Sequence, residues 1–212
     1  MAEKVNLPGS AMSQSLEIPY RDPKAESIDG FGMIVNFMWR RAYFMLKQVI
    51  ESGVKVRVLD PCAGGCKLLS KADKGFHITG YEPDYTNWYF GHNYLKQNNY
   101  QAEIINDCFE SHFVDAHPFN FHLVISIPYT DHQINAAYDT DLTYLKIADY
   151  VFYTMMRGID VLADKGVGVF CIPKEYVESE KYVEQVDMVM KKADIVSVES
   201  YNQYAIIIIQ KK

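Results

Sequence analysis

Lys55 to Leu69, KVRVLDPCAGGCKLL, is the stretch that most narrows what this chain can fold into. A valine-rich run, Val54 to Leu59, stops at an acid, a proline and a glycine pair, and an apolar helix start follows. That order reads as a strand feeding a tight turn that opens a helix. In an open α/β sheet, a ligand sits at the carboxyl end of such a strand. Gly64 and Gly65 have no Cβ, so the backbone can come close to that ligand. A strand-turn-helix alone is common, and the reading gains weight only if matching signals close the later strands.

They do. Taken in order, Phe31 to Glu51 has apolar residues at helical spacing and ends at Gly53. Strand one is Val54 to Leu59, followed by a short helix over Lys67 to Ala72. Strand two, Phe76 to Tyr81, ends in Glu82-Pro83-Asp84. An aromatic-rich helix then spans Tyr85 to Gln97. Strand three, Ala102 to Ile105, ends in Asn106-Asp107. Strand four, Phe121 to Ile125, ends in Ser126-Ile127-Pro128-Tyr129. A polar loop, Thr130 to Thr140, precedes a helix over Asp141 to Ala163, with Leu145, Ala148, Phe152, Met155, Ile159 and Leu162 on one face. Asp164-Lys165-Gly166 turns into strand five, Val167 to Ile172. A helix over Val177 to Lys192 and two strands, Ile195 to Ser200 and Ala205 to Gln210, close the chain. Met1 to Asp29, broken by Pro8, Pro19 and Pro23, reads as an irregular arm. The expected organisation is an arm over residues 1–30 and one α/β domain over 31–212.

The expected fold class is therefore a doubly wound, Rossmann-like sheet. It has seven strands, mostly parallel, with an antiparallel hairpin at the C-terminal edge. Four successive strands end in Asp60, Glu82, Asp107 and Ser126, and a parallel sheet brings such ends to one edge. Each residue has a plain structural role available, as a helix N-terminal acid or a turn residue. Their serial recurrence points instead to one crevice. A nicotinamide site is excluded, because its glycine positions are held by Cys66 and Leu69. A P-loop is excluded because no Gly-Lys-Ser/Thr follows.

The series resembles the S-adenosylmethionine-dependent methyltransferases that methylate amino groups, most of all the N6-adenine DNA methylases. Asp60-Pro61-Cys62-Ala63-Gly64-Gly65-Cys66 resembles their Asp-Pro-x-x-Gly-x-Gly. Gly80 to Asp84 resembles their ribose-binding strand end, and Asn106-Asp107-Cys108-Phe109 their adenine-binding turn. Ser126-Ile127-Pro128-Tyr129 resembles their Asn/Asp/Ser-Pro-Pro-Tyr. The resemblance implies S-adenosyl-L-methionine as cofactor. Asp60, Pro61, Cys62, Ala63 and Gly64 would hold its methionine end and Glu82 its ribose hydroxyls. Asp107 would bind its adenine amino group, with Pro83 and Cys108 or Phe109 against the ring. Ser126, Ile127, Pro128 and Tyr129 would form the catalytic tetrapeptide. Ser126 and a nearby carbonyl would accept hydrogen bonds from the target amine, and Tyr129 would stack on a flipped base.

Three departures qualify this expectation: at Cys66, at Ile127 and in target recognition. Cys66 replaces the last glycine and brings a side chain near the cofactor. Ile127 replaces the first proline, as in forms that resemble the ribosomal RNA adenine dimethylases. Ser126 resembles cytosine-N4 methylases, and a hydroxyl can donate as well as accept. No target-recognition region is apparent. With a formal net charge of −6, the chain is a poor stand-alone nucleic-acid binder. The expected substrate is a nucleic acid, DNA ahead of RNA, with a protein partner supplying target recognition. Two alternatives are a degenerate subunit that scaffolds a partner and a protein glutamine N-methyltransferase. The scattered cations Arg40, Arg41, Lys47, Lys55 and Arg57 read as solvated surface. Cys62, Cys66, Cys108 and Cys171 lack a second Cys or His pair, so they read as reduced thiols and no metal site is expected. No apolar run reaches about 18 residues and no signal pattern opens the chain, so no membrane contact is expected and the expected location is the cytoplasm.

Overall fold

The computed structural model describes residues 30–109, 120–128 and 147–212. The expected arm, Tyr129, the loop after it and Leu145 lie outside the described residues.

Seven strands form one sheet: β1 Arg57–Asp60, β2 His77–Tyr81, β3 Gln101–Ile105, β4 Phe121–Ser126, β5 Leu162–Pro173, β6 Ala193–Tyr201 and β7 Tyr204–Lys211. Their order is β3-β2-β1-β4-β5-β7-β6. β1 to β5 pair in parallel, while β7 runs antiparallel to both β5 and β6. This is the expected doubly wound sheet with its antiparallel C-terminal end. The chain steps outward from β1 to β2 and β3, then crosses back to β4. The switch of direction therefore falls between β1 and β4.

Helices cover both faces. Helix α1, Gly30–Glu51, presents Ile34, Val35, Met38 and Leu46 to one face, where they meet Val58, Ile78, Leu123, Ile125, Ile206 and Ile208. Helix α2, Tyr85–Gln97, adds Leu95 to the same face. Helix α3, Ile147–Asp160, and helix α5, Val183–Lys192, cover the other face. There Val151, Met155, Ile159 and Val189 meet Leu59, Val124, Phe170, Ile207 and Ile209. The run Ile206-Ile207-Ile208-Ile209 feeds alternate residues to the two cores, as a period of two requires of a strand buried on both faces.

Several boundaries differ from expectation, and the reasons are tertiary. β1 starts at Arg57 because its ladder begins where His77 stands opposite. Val54 lies outside the ladder and is exposed. The helix expected after the glycine turn is a single 3₁₀ turn, Leu69–Lys71, ended by an extended Ala72. Leu68 and Leu69 are buried, and the Trp39 Nε1–H donates to the Leu68 carbonyl at 2.7 Å. Only Asp73 to Phe76 then separate this segment from β2, which leaves no room for a longer helix. Helix α3 ends at Asp160 because Leu162 pairs with Phe121. The register then jumps to Leu123 opposite Val167, so the expected Asp164-Lys165-Gly166 turn is a bulge within β5, with Lys165 at φ +61°. The expected helix over Val177 to Lys192 breaks at Ser179, which is extended. It becomes α4, Glu175–Glu178, a 3₁₀ turn, Glu180–Tyr182, and α5. Tyr176 and Tyr182 meet edge to face, 4.9 Å between centroids, and both rings lie near Phe152.

Met38 is fully enclosed between α1 and the sheet. Met38→Ala should destabilise the fold by about 2–5 kcal/mol, the range for truncating a buried large side chain, as read by urea unfolding with an unchanged slope.

Candidate active site

Parallel pairing brings the polar strand ends to one edge. Asp60 stands opposite Gly80 of β2, and Leu59 opposite Val124 of β4, which places Ser126 beside the end of β1. Glu82 follows β2 directly, and its amide donates to the Ile105 carbonyl at 3.0 Å, which ties it to the end of β3. Asp107 lies just beyond. Asp60, Glu82, Asp107 and Ser126 thus share the carboxyl edge beside the β1/β4 switch, and Tyr129 lies outside the described residues.

The Asp60 carboxylate is the centre of this edge. It is buried, and its Oδ1 accepts from the Cys62 amide at 3.0 Å and from the Ser126 hydroxyl at 2.8 Å. Its Oδ2 is buried and has no hydrogen-bond partner. Burial pushes this carboxyl up to about 7, against the lowering effect of its two donors. An orphaned buried oxygen of this kind fits a cationic ligand group. Glu82 is also fully buried, and its Oε1 accepts from the Asp84 amide at 2.8 Å. Asn106 braces the same corner, donating to the carbonyls of Glu82 and Pro83 at 2.9 and 3.1 Å. The Asp84 side chain caps α2 by accepting from the Asn87 amide at 2.8 Å. Asp107 accepts from the Cys108 amide at 2.7 Å.

The glycine turn shows how the Cys66 departure is absorbed. Gly64 has φ +54° and Cys66 has φ +60°, so the turn keeps a left-handed backbone where a cysteine replaces glycine. A residue with a Cβ is disfavoured there by about 1–2 kcal/mol. The cost is offset by position: the Cys66 amide donates to the Ala63 carbonyl at 2.9 Å and its carbonyl accepts from the Ser70 amide at 2.8 Å. The side chain packs against α2 at Gly91, where a Cβ would lie 2.6 Å from the Cys66 sulfur. Burial, then the Asp60 and Glu82 charges, push the Cys66 thiol well up, so it stays protonated. In the fold this side chain packs on the helix.

Pro61, Cys62, Ala63, Gly64, Ile127, Pro128 and Cys108 are all buried around this edge, and Pro83 is partly buried. Phe109 is turned into the core and packs on Tyr81, 5.4 Å between ring centroids. A small cleft lies between the glycine turn and Ile127, lined by Phe31, Asp60, Cys62, Ala63, Lys67 and Ile127. Phe31 and Lys67 were not expected there. The Lys67 ammonium sits 5.0 Å from the centre of the Phe31 ring, which closes one side of the cleft. Phe31 carried only a helix signal in the sequence, and nothing local ties it to a turn more than thirty residues on. Gly91 did carry a signal, as a glycine inside a helix. No cluster of metal-ligating side chains occurs among the described residues, and no described helix is long and apolar enough to cross a membrane.

No protein-family model matches this chain, and no curated protein does. Solved structures do share its fold. A Listeria monocytogenes protein assigned to the class I S-adenosylmethionine-dependent methyltransferases is 16% identical with a TM-score of 0.62, over 82% of this chain and 59% of that one. A Clostridium thermocellum protein assigned as an rRNA methylase is 16% identical, TM-score 0.52, over 75% of this chain and 91% of that one. SMU.776, assigned as a methyltransferase and solved with S-adenosylhomocysteine (SAH), is 10% identical, TM-score 0.58, over 73% of this chain and 44% of that one. The chain thus spans little more than half of the Listeria protein. It has the Rossmann-like fold of class I methyltransferases, as its strand order already indicates.

Two outcomes follow from the site. Gly91→Ala should lower the thermal midpoint by several degrees, since about 1–3 kcal/mol is typical of overpacking. Pairing it with Cys66→Gly should recover most of that loss in a thermal melt. Asp60 holds its proton up to about pH 7 when folded, whereas the unfolded carboxyl releases it near about pH 3.9. Its contribution to stability is therefore greatest below about pH 4 and falls as pH rises to about 7. Asp60→Asn should thus be more stable than the wild type at alkaline pH, by an amount on the order of a few kcal/mol, and melt at a higher temperature. That advantage should shrink toward about pH 5, as read by melts across pH.

Proposed function

We propose that this chain is an S-adenosylmethionine-dependent methyltransferase acting on an exocyclic amino group of a nucleic-acid base, with adenine N6 in DNA as the first substrate to test. The observation that carries the reading is the meeting of Asp60, Glu82 and Ser126-Ile127-Pro128 at the β1/β4 switch of a methyltransferase-type sheet. The cofactor supplies a methyl group on a sulfonium, which makes that methyl electrophilic. The residues present fit such a ligand. Asp60, with its orphaned Oδ2, and the turn at Gly64 would take the methionine end. Glu82 would take the ribose hydroxyls, and Asp107 the adenine amine, with Pro83 and Cys108 beside the ring, Phe109 being turned into the core.

The protein's own work is to bind and align. Ser126 and the carbonyl around Ile127-Pro128 would accept from the target amine and hold it in line, with Tyr129 against the base. Such alignment supplies most of the rate in a transfer of this kind. A nucleic-acid substrate is further supported by α2, which leaves the Glu82-Pro83-Asp84 corner. Tyr85 and Tyr89 are exposed on it and stack at 6.1 Å between centroids. The helix carries no acidic residue. Exposed rings of this kind suit unpaired bases. The rRNA-methylase neighbour extends the substrate test to RNA.

A second reading, a degenerate subunit that supports a partner, draws on the complete burial of Glu82 and Ser126. Calorimetric titration with S-adenosylmethionine separates the two. Two charge-assisted hydrogen bonds at about 1.5–3 kcal/mol each mean that Glu82→Ala should weaken binding by about 100-fold or more. A radiolabelled methyl screen on DNA, RNA and protein then reads the substrate. Label in nucleic acid that disappears in Ser126→Ala is the expected result, label in protein selects the glutamine amide, and a folded protein that binds no cofactor selects the scaffold.

A further inference from the structure

We infer that Asp60 is a two-sided positioning residue. Its Oδ2 faces the cation of the cofactor, while its Oδ1 locks the Ser126 hydroxyl as a donor, so that Ser126 meets the substrate amine only as an acceptor. The inference rests on the methyl-transfer reading above and deepens it.

A serine is an ambiguous residue at the head of a catalytic tetrapeptide, because a hydroxyl can donate or accept. The geometry removes the ambiguity. Oδ1 of Asp60 accepts from both the Cys62 amide, at 3.0 Å, and the Ser126 hydroxyl, at 2.8 Å. An oxygen receiving two donors is not the one that carries the carboxyl proton. When Asp60 is protonated the proton sits on Oδ2, which has no partner. Ser126 therefore donates to Asp60 in both protonation states, and its lone pairs remain for a ligand. Both residues end adjacent strands whose register is fixed by Leu59 opposite Val124, so the alignment does not depend on a loop. Ser126 is fully buried, where an anion at 2.8 Å polarises the hydroxyl more strongly than it would in water. The ionised carboxylate thus makes Ser126 the better acceptor.

Asp60 also lines the cleft with Phe31, Cys62, Ala63 and Lys67. A cationic amine against Oδ2 favours the ionised form. Filling the cofactor site would then prepare the acceptor for the substrate. Among the described residues, the charged and titratable groups around this carboxyl are Cys62 and Cys66 on its own turn, Glu82 after β2, and Lys67 on the cleft wall. Burial holds the Asp60 carboxyl up to about 7 before any ligand arrives, so cofactor binding below that pH releases a proton from it.

The test compares wild type, Asp60→Asn, Ser126→Ala and the double variant, after thermal melts have shown each to be folded. Calorimetry with S-adenosylmethionine in two buffers of different ionisation heat, near about pH 6, reads affinity and proton release together. The wild type should release up to about one proton. Asp60→Asn should release none and bind about 10-fold more weakly, while Ser126→Ala should bind within about 3-fold of wild type. Single-turnover transfer at saturating cofactor should fall about 100-fold in either single variant. The double variant should be no slower than Ser126→Ala, because Asp60→Asn keeps an acceptor for the Ser126 hydroxyl and slows transfer only by removing the charge that polarises it. At subsaturating cofactor the wild-type rate should rise with pH through the Asp60 ionisation, which the filled site has already completed, and that limb should vanish in Asp60→Asn. Asp60→Asn that regains the wild-type rate once saturated, or additive losses in the double variant, would overturn the inference and leave the methyl-transfer reading intact. Wild-type protein that binds cofactor yet methylates nothing would overturn both. If Asp60→Asn does not fold, the residual rate of Ser126→Ala reads the link: loss of the pH limb supports the inference, and a limb like that of the wild type overturns it.

Discussion

Burial of the central strands on both faces is the constraint from which the rest follows. β1, β4, β5 and β7 send alternate residues into two separate cores, one under α1 and α2 and the other under α3 and α5. Strands enclosed in this way have no solvated face for polar side chains. Polar chemistry is then pushed to the strand ends, where the chain leaves the ladder and the backbone turns. Asp60, Glu82 and Ser126 stand at that boundary. They are deep enough to be desolvated and close enough to the edge for a ligand to reach the turns around them. The raised carboxyl of Asp60 is a direct result, since the same packing that fixes its position removes its water.

The site is therefore less a loop constellation than an extension of the sheet. Hydrogen bonds run from the glycine turn to β2 through the Ala63 amide and Tyr81 carbonyl, and from the start of α2 to β3 through the Glu82 amide and Ile105 carbonyl. The Trp39 indole pins α1 to Leu68 beyond the turn, and the Trp88 indole pins α2 to the Ile104 carbonyl. Each buried donor has a specific carbonyl, so the turn is held from several sides. That bracing lets Cys66 keep a left-handed backbone that an isolated peptide would leave. The helix expected after the first strand is a single 3₁₀ turn, so the positive end of a long helix dipole does not contribute at the turn. Backbone amides and the Lys67 side chain are what the chain offers there instead.

What was legible in the sequence was mostly what local chemistry decides. Helix α2 spans Tyr85–Gln97 as expected, because Asp84 caps its start and Asn99, with φ +60°, turns the chain out at its end. The serial acids and Ser126 were legible as strand ends because a parallel sheet can put them only on one edge. What was not legible is set by partners distant in the chain. Leu162 ends α3 early because Phe121 needs a neighbour, and Ser179 divides a helix whose apolar pattern runs on without interruption. Phe31 reaches the cleft only because α1 crosses the sheet at the height of the glycine turn. Gly91 was visible as an oddity, but its reason, a thiol twenty-five residues earlier, belongs to packing and not to pattern.

The position of β7 has a further consequence. It lies inside the sheet, between β5 and β6, although it follows both in the chain. While the ribosome is still making the segment after Tyr201, β5 is an open edge with apolar side chains on both sides and β6 has no ladder to join. Ile206 and Ile208 then complete one core, and Ile207 and Ile209 the other. The nascent chain must therefore hold two half-built interiors together until one late strand slides between its elders. That is a long-range, late-closing step of the kind that slows folding and exposes an intermediate to aggregation. Chaperone dependence during synthesis, rather than any property of the finished molecule, is where this topology would be felt in the cell.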